Sequence, residues 1–184
     1  MADRTFDRRF FIKIFAQTAL CSVLPVSALA AIDRFSVPKR TLFMYNIHTD
    51  QRLDVRYYAH GRYQPDALKE INYLLRDYRT GAIKPIRKEL LNLLYSISRS
   101  LDRPAQFDII SGYRSPETNA MLRRRSKKVA KNSLHMKGEA VDIRIPGYDT
   151  RRLRNICMKL NAGGVGYYPE SDFVHVDIGP VRYW

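Results

Sequence analysis

Two short runs of alternating apolar and polar residues, TLFMYNI and RLDVRYY, flank HTDQ at positions 48–51, a pattern that predicts a β-hairpin. The period then becomes helical. PDALKEINYLLRDYRTG (65–81) predicts a helix with Pro65 in its first turn and Gly81 as its stop. KPIRKELLNLLYSISRSL (84–101) predicts a second, with Ile86, Leu90, Leu93, Leu94, Ile97 and Leu101 along one side. Shorter units follow. QFDIISGYR (106–114) reads as a strand ending in a turn, and SPETNAMLRRR (115–125) as a helix capped by Ser115 with Pro116 at its first position. EAVDIRI (139–145) reads as a central strand, and YDTRRLRNICMKLN (148–161) as a helix capped by Asp149 or Thr150. AGGVGYY and FVHVDIG read as two further strands joined through PESD. The order predicts an α+β fold: one compact domain, its small antiparallel sheet packed against helices.

The first thirty residues stand apart. They combine a basic start, a mildly apolar middle broken by Gln17, Thr18, Ser22, Pro25 and Ser27, and Ala28-Leu29-Ala30, which suits a signal peptidase. The pair Arg8-Arg9, followed by Phe11, Ile12 and Lys13, resembles a twin-arginine export signal, with Asp7 where Ser or Thr is usual. The segment is too interrupted for a permanent membrane span. The expected organisation is therefore an export signal over 1–30 and a domain over 31–184, destined for the periplasm. Cys21 follows Leu20 rather than a small residue, which disfavours lipid attachment, and removal of the leader leaves Cys157 as the only thiol. No internal disulfide is then available, so the 154-residue remainder must rely on its core.

Charge narrows the partners. The formal charge is +14. The leader holds four basic and two acidic residues, so +12 remains on the domain, a surface suited to polyanions. Export removes nucleic acid from that set and leaves anionic lipid or a carboxylate-rich wall polymer.

Candidate chemistry lies in SLHMKGEAVD (133–142) and FVHVD (173–177). His135, Asp142 and His175 are residue types that hold zinc in sites with one position left open. Strand alternation turns Ala140 and Asp142 to one face, with Val141 and Ile143 to the other, and groups Phe173, His175 and Asp177. Gly138 permits the turn after His135. On spacing alone, however, a histidine near an aspartate is more often simply a hydrogen-bonded pair.

SGYRSPETN, SLHMKGEAVD and GGVGYYPESDFVHVD, in this order and spacing, resemble the zinc murein peptidases related to D-Ala-D-Ala carboxypeptidases (LAS-type), and among them the MepK-type endopeptidases. The likeness runs from the hairpin to the terminal RYW. It implies a Zn2+ site on His135, Asp142 and His175, and hydrolysis of peptidoglycan cross-links, above all D-Ala to meso-diaminopimelate. The choice between D,D and L,D bonds stays open. Arg114 matches the family arginine that faces the substrate, and Ser111, Tyr113 and Ser133 are expected to shape the pocket. For the general base, Asp177 comes first because it shares the face of His175. Asp172 is the alternative because it occupies the Glu-x-x-His placement of dipeptidase relatives. His48 and His60 read as turn or surface residues. The basic run 123–128 is either a solvated face or an attractor for stem-peptide carboxylates. A monomer is expected. The competing functions are a carboxypeptidase or dipeptidase that trims stem peptides, and a catalytically silent wall-binding module.

Overall fold

The computed structural model describes residues 39–184 apart from Lys128; the expected export signal, with its paired arginines and Cys21, lies outside the described residues. The expected hairpin forms from β1 (Arg40–Asn46) and β2 (Gln51–Ala59), with Leu42 opposite Val55. Leu42, Met44, Val55 and Tyr57 are buried from this pair. A short β3 (Arg62–Tyr63) leads to α1 (Pro65–Leu74), which turns Ala67, Ile71 and Leu74 inward, and α2 (Lys88–Arg99) buries Leu90, Leu91, Leu93, Leu94 and Ile97. Then come β4 (Gln106–Ser111), α3 (Pro116–Arg125), β5 (Ala140–Arg144), α4 (Thr150–Leu160), β6 (Gly164–Tyr168), β7 (Phe173–Asp177) and β8 (Arg182–Tyr183). Both predicted caps form: Ser115 Oγ accepts from the Thr118 amide and Asp149 Oδ1 from that of Arg152.

The α+β reading holds, with a larger sheet than expected. The eight strands run in the order β3-β2-β1-β4-β5-β7-β6-β8. β1 is parallel to β4 and β6 to β8, so the sheet is mixed. Its site-bearing stretch, β4-β5-β7-β6, is antiparallel throughout. Cys157 is a free, buried thiol in α4. No helix among the described residues is long and apolar enough to cross a membrane.

Two helices are shorter than their apolar patterns suggested. The first stops at Leu74, and the chain then turns tightly, with the Gly81 amide bonded to the Asp77 carbonyl and the Asp77 amide to that of Ala82. The second starts at Lys88 rather than Lys84, because residues 84–87 form a strap tied elsewhere. The Ile86 amide donates to Asn72 Oδ1 and the Arg87 amide to the carbonyl of Gly138. Tertiary hydrogen bonds here outweigh helical periodicity, and they place the strap behind the turn that carries His135.

Asp77, buried, holds the SGYRS loop in place. Its Oδ2 accepts from the Ser115 amide at 2.8 Å and its Oδ1 from the Arg79 amide at 3.0 Å. Burial alone would raise this carboxyl's pKa, but hydrogen bonds from Thr118, Ser115 and Arg79 outweigh it and hold it below the usual value. A depressed folded pKa stabilises the fold above the unfolded value and loses that effect as pH falls through the folded one. Asp77→Ala should therefore cost about 1–3 kcal/mol at pH 7 by leaving buried amides unpaired. Urea unfolding of the variant and parent at pH 7 and pH 3 tests this: the gap should shrink at the lower pH, and equal stability at pH 7 contradicts the role.

Candidate metal centre

His135 sits in a short 3-10 turn, Leu134–Lys137, ended by Gly138 in the left-handed region at φ 69°. A Cβ on Gly138 would come within 2.6 Å of the Pro85 carbonyl oxygen, so this position needs glycine for both its conformation and its space. Gly112 approaches the chain at Leu75 as closely, and its carbonyl accepts from His135 Nδ1 at 2.8 Å. That bond sets the tautomer, leaving Nε2 as the free donor atom. Asp142 on β5 lies directly opposite His175 on β7 in the strand register.

The three donor atoms form a small triangle. His135 Nε2 is 3.1 Å from His175 Nδ1 and 3.2 Å from Asp142 Oδ1, and His175 Nδ1 is 2.8 Å from the same oxygen. All three residues are buried. Bonds of about 2.0–2.1 Å to a tetrahedral ion need donors roughly 3.3 Å apart, so the triangle is close to one face of such a site. Burial pushes His135 below its ordinary pKa, against the opposing pull of Asp142. Burial works the other way on Asp142, yet His135 and Arg114 hold its carboxyl well below the usual range. Burial would lower His175, but its carboxylate neighbours Asp142 and Asp177 raise it. One carboxylate and two imidazoles, desolvated and converging, make a group able to hold a metal ion.

Asp177 shares the face of His175, as strand parity predicted, but it stands behind the imidazole. His175 Nε2 donates to its Oδ2 at 3.0 Å, while the amides of Gly164 and Gly179 donate to its Oδ1 at 3.1 and 2.8 Å. Arg182 closes the set with a 2.6 Å bond to Oδ2 and a 3.3 Å bond to Oδ1. A Cβ on Gly163 would overlap the Asp177 carbonyl at 1.8 Å, and one on Gly164 would lie 2.5 Å from its carboxylate. The glycines thus form a cradle for one charge. Burial would raise this carboxyl, but the hydrogen bonds bring it down to about 2. A carboxylate bonded in this way to the far nitrogen of an imidazole is placed to orient it. The expected base thus stands with both carboxylate oxygens bonded to His175, the Gly164 and Gly179 amides and Arg182. The alternative, Asp172, has partners of its own. In left-handed backbone at φ 49°, it accepts from the Thr150 hydroxyl and lies 4.0 Å from Arg144.

The donors open on a cleft of ≈ 720 Å³. Arg114 lines it, its guanidinium bonded to Asp142 Oδ2 and, through Nε, to Ser111 Oγ at 2.8 Å. Ser111 therefore acts on the cleft through Arg114, while Ser133 lines it directly. Tyr113 does not line it: that ring packs against the core, where burial and the nearby Asp77 raise its pKa. His48 stacks on Tyr78 and His60 lies in a turn, both away from the centre. The basic loop does reach the cleft, since Ser126, Val129 and Ala130 form part of its wall, with Arg123, Arg124, Arg125 and Lys127 exposed alongside them in sequence. Sequence reasoning missed Arg182, Trp184 and Tyr168, which also line the cleft. The faint signal was the apolar and aromatic residues of VRYW, enough for one more edge strand.

A family model described as "Peptidoglycan L,D-endopeptidase MepK" matches residues 34–184. A Haemophilus influenzae protein named "Probable peptidoglycan L,D-endopeptidase MepK" is 45% identical over 165 residues, covering 89% of this chain and 87% of its own length. Proteins of Escherichia coli K12 and Shigella flexneri named "Peptidoglycan L,D-endopeptidase MepK" are each 38% identical over 179 residues, or 97% of both chains.

If Asp177 orients His175, then Asp177→Ala should weaken metal affinity by about 10- to 100-fold, as loss of such a partner does elsewhere. Competition against a chromogenic chelator measures this directly. Unchanged affinity contradicts the anchoring role.

Proposed function

The chain belongs to the MepK family of peptidoglycan L,D-endopeptidases, and from that premise we propose that it is a zinc-dependent peptidase that cuts peptide cross-links in peptidoglycan. The observation that carries this reading is the buried triangle of His135, Asp142 and His175 at the floor of an open cleft. When bound, zinc supplies Lewis-acid activation, polarising the scissile carbonyl and lowering the pKa of water from about 16 to about 7. The chain's own residues do the rest. Gly112 and Asp177 fix the two imidazoles so that their ligating nitrogens converge. Arg114, held by Ser111 and Asp142, presents its remaining N–H groups to the cleft, where they can bind the substrate carbonyl and the negative charge that develops on it. Ser133 on the wall offers a further polar contact.

The relatives' names specify an L,D bond, which makes a cross-link between an L- and a D-configured centre the favoured target, ahead of the D-Ala to meso-diaminopimelate bond. The basic loop beside the cleft suits a substrate rich in free carboxylates. We further propose that the chain is exported, by the twin-arginine route, acts in the periplasm and works as a monomer. The trimming enzyme and the silent wall binder are the readings to exclude. An open cleft favours a cross-linked substrate over a free stem peptide, and a silent binder has no need for three converging donors.

Digestion of purified murein dimers, one set L,D-linked and one D,D-linked, with and without a chelator, separates these readings. Chelator-sensitive conversion of L,D dimers to monomers is expected, with masses that locate the cut. Intact dimers from a metal-loaded protein contradict the proposal, and trimming of free stem peptides would then identify the second reading.

A further inference from the structure

The chain has a single tryptophan, Trp184, and its placement is closely defined. β8 lies parallel to β6 along the sheet edge, with the Trp184 amide bonded to the Val165 carbonyl at 3.2 Å and the Tyr167 amide to the Trp184 carbonyl at 2.9 Å. The indole Nε1 donates to the Tyr168 hydroxyl at 2.9 Å, and the Arg182 guanidinium lies 5.1 Å from the ring centroid. The ring lies over Gly166, the residue paired with His175 across β6 and β7. A Cβ on Gly166 would come within 2.6–2.8 Å of three indole atoms, so the glycine makes the seat. The indole centroid is then 5.3 Å from that of His175.

So large an apolar group, anchored through backbone and side chain yet 50% exposed on the wall of a cleft, is not there to fill a core. Tyr168, stacked on Phe173 at 4.5 Å, extends the same wall, whereas Arg114 and Asp142 make the polar side. A rigid, half-exposed aromatic face beside the reacting centre is suited to an alkyl chain, and its hydrogen-bonded edge keeps it in one orientation.

We propose that Trp184 is a substrate-binding platform: its indole face receives an aliphatic side chain of the peptide next to the scissile bond, and so sets affinity and register. This rests on the peptidase reading above. Binding there is uniform through the reaction, so its loss appears in KM more than in kcat. Trp184→Ala should raise KM for cross-linked dimers by about 10- to 100-fold, the span for a lost apolar contact, with metal content unchanged. Trp184→Phe should recover most of the affinity. Gly166→Ala provides a second route, because it keeps the indole but drives it from its seat, and KM should rise again.

A binding readout separates this inference from the activity. As the sole tryptophan, Trp184 should change its fluorescence saturably when the monomeric stem peptide is added to the metal-loaded chain. A saturable change in a protein that cuts no dimers would contradict the peptidase reading and leave the platform standing. Dimer cleavage with unaltered fluorescence and an unaltered KM in Trp184→Ala would overturn the platform. Loss of metal in Trp184→Ala would overturn it too, by assigning the ring to support of His175.

Discussion

The constraint that shapes this half of the molecule is the burial of two negative charges, Asp142 and Asp177, on either side of one imidazole. A carboxylate without partners in a protein interior is strongly destabilising, so each must be surrounded by donors. For Asp177 the donors are His175, two glycine amides and Arg182, and the close approach of those amides is possible only where Cβ atoms are absent. For Asp142 the donor is Arg114, while the ligating nitrogens of the two histidines face its other oxygen. Breaking the arrangement at any point leaves a buried charge exposed to its neighbours' absence, which is why the surrounding loops are tied so firmly.

That requirement reaches well beyond the ligands. Asp77 fixes the loop that presents Arg114 and the Gly112 carbonyl; Gly112 in turn orients His135; Gly138, backed by the strap at residues 84–87, closes the turn that holds it. The two-helix layer and the sheet thus meet at the site through backbone hydrogen bonds rather than through the ligands alone. Catalytic groups held this way need little reorganisation when a substrate arrives.

Local patterning made much of this visible in the sequence. Helical periodicity located the helices, alternation the strands, and Ser115 and Asp149 announced their caps. The three donors were recognisable as a set only through their likeness to a family, because spacing between distant strands carries no three-dimensional information. Parity correctly grouped Asp177 with His175, yet it cannot say whether a carboxylate lies before or behind the ring. The truncated helices and the C-terminal strand were illegible for a related reason. Their limits depend on hydrogen bonds to residues such as Asn72, Gly138 and Val165, which are remote in the chain.

A mixed wall therefore surrounds the centre: guanidinium and carboxylate on one side, aromatic rings on the other, and a basic loop along one edge. The proposed chemistry depends above all on a metal ion held by His135, Asp142 and His175. Elemental analysis of the purified chain beside Asp142→Ala, with circular dichroism to confirm that the variant is folded, tests this most directly. One zinc per chain in the parent and almost none in the folded variant is the predicted result. A full complement of zinc in the variant, or a parent that takes up none when zinc is supplied, would contradict it.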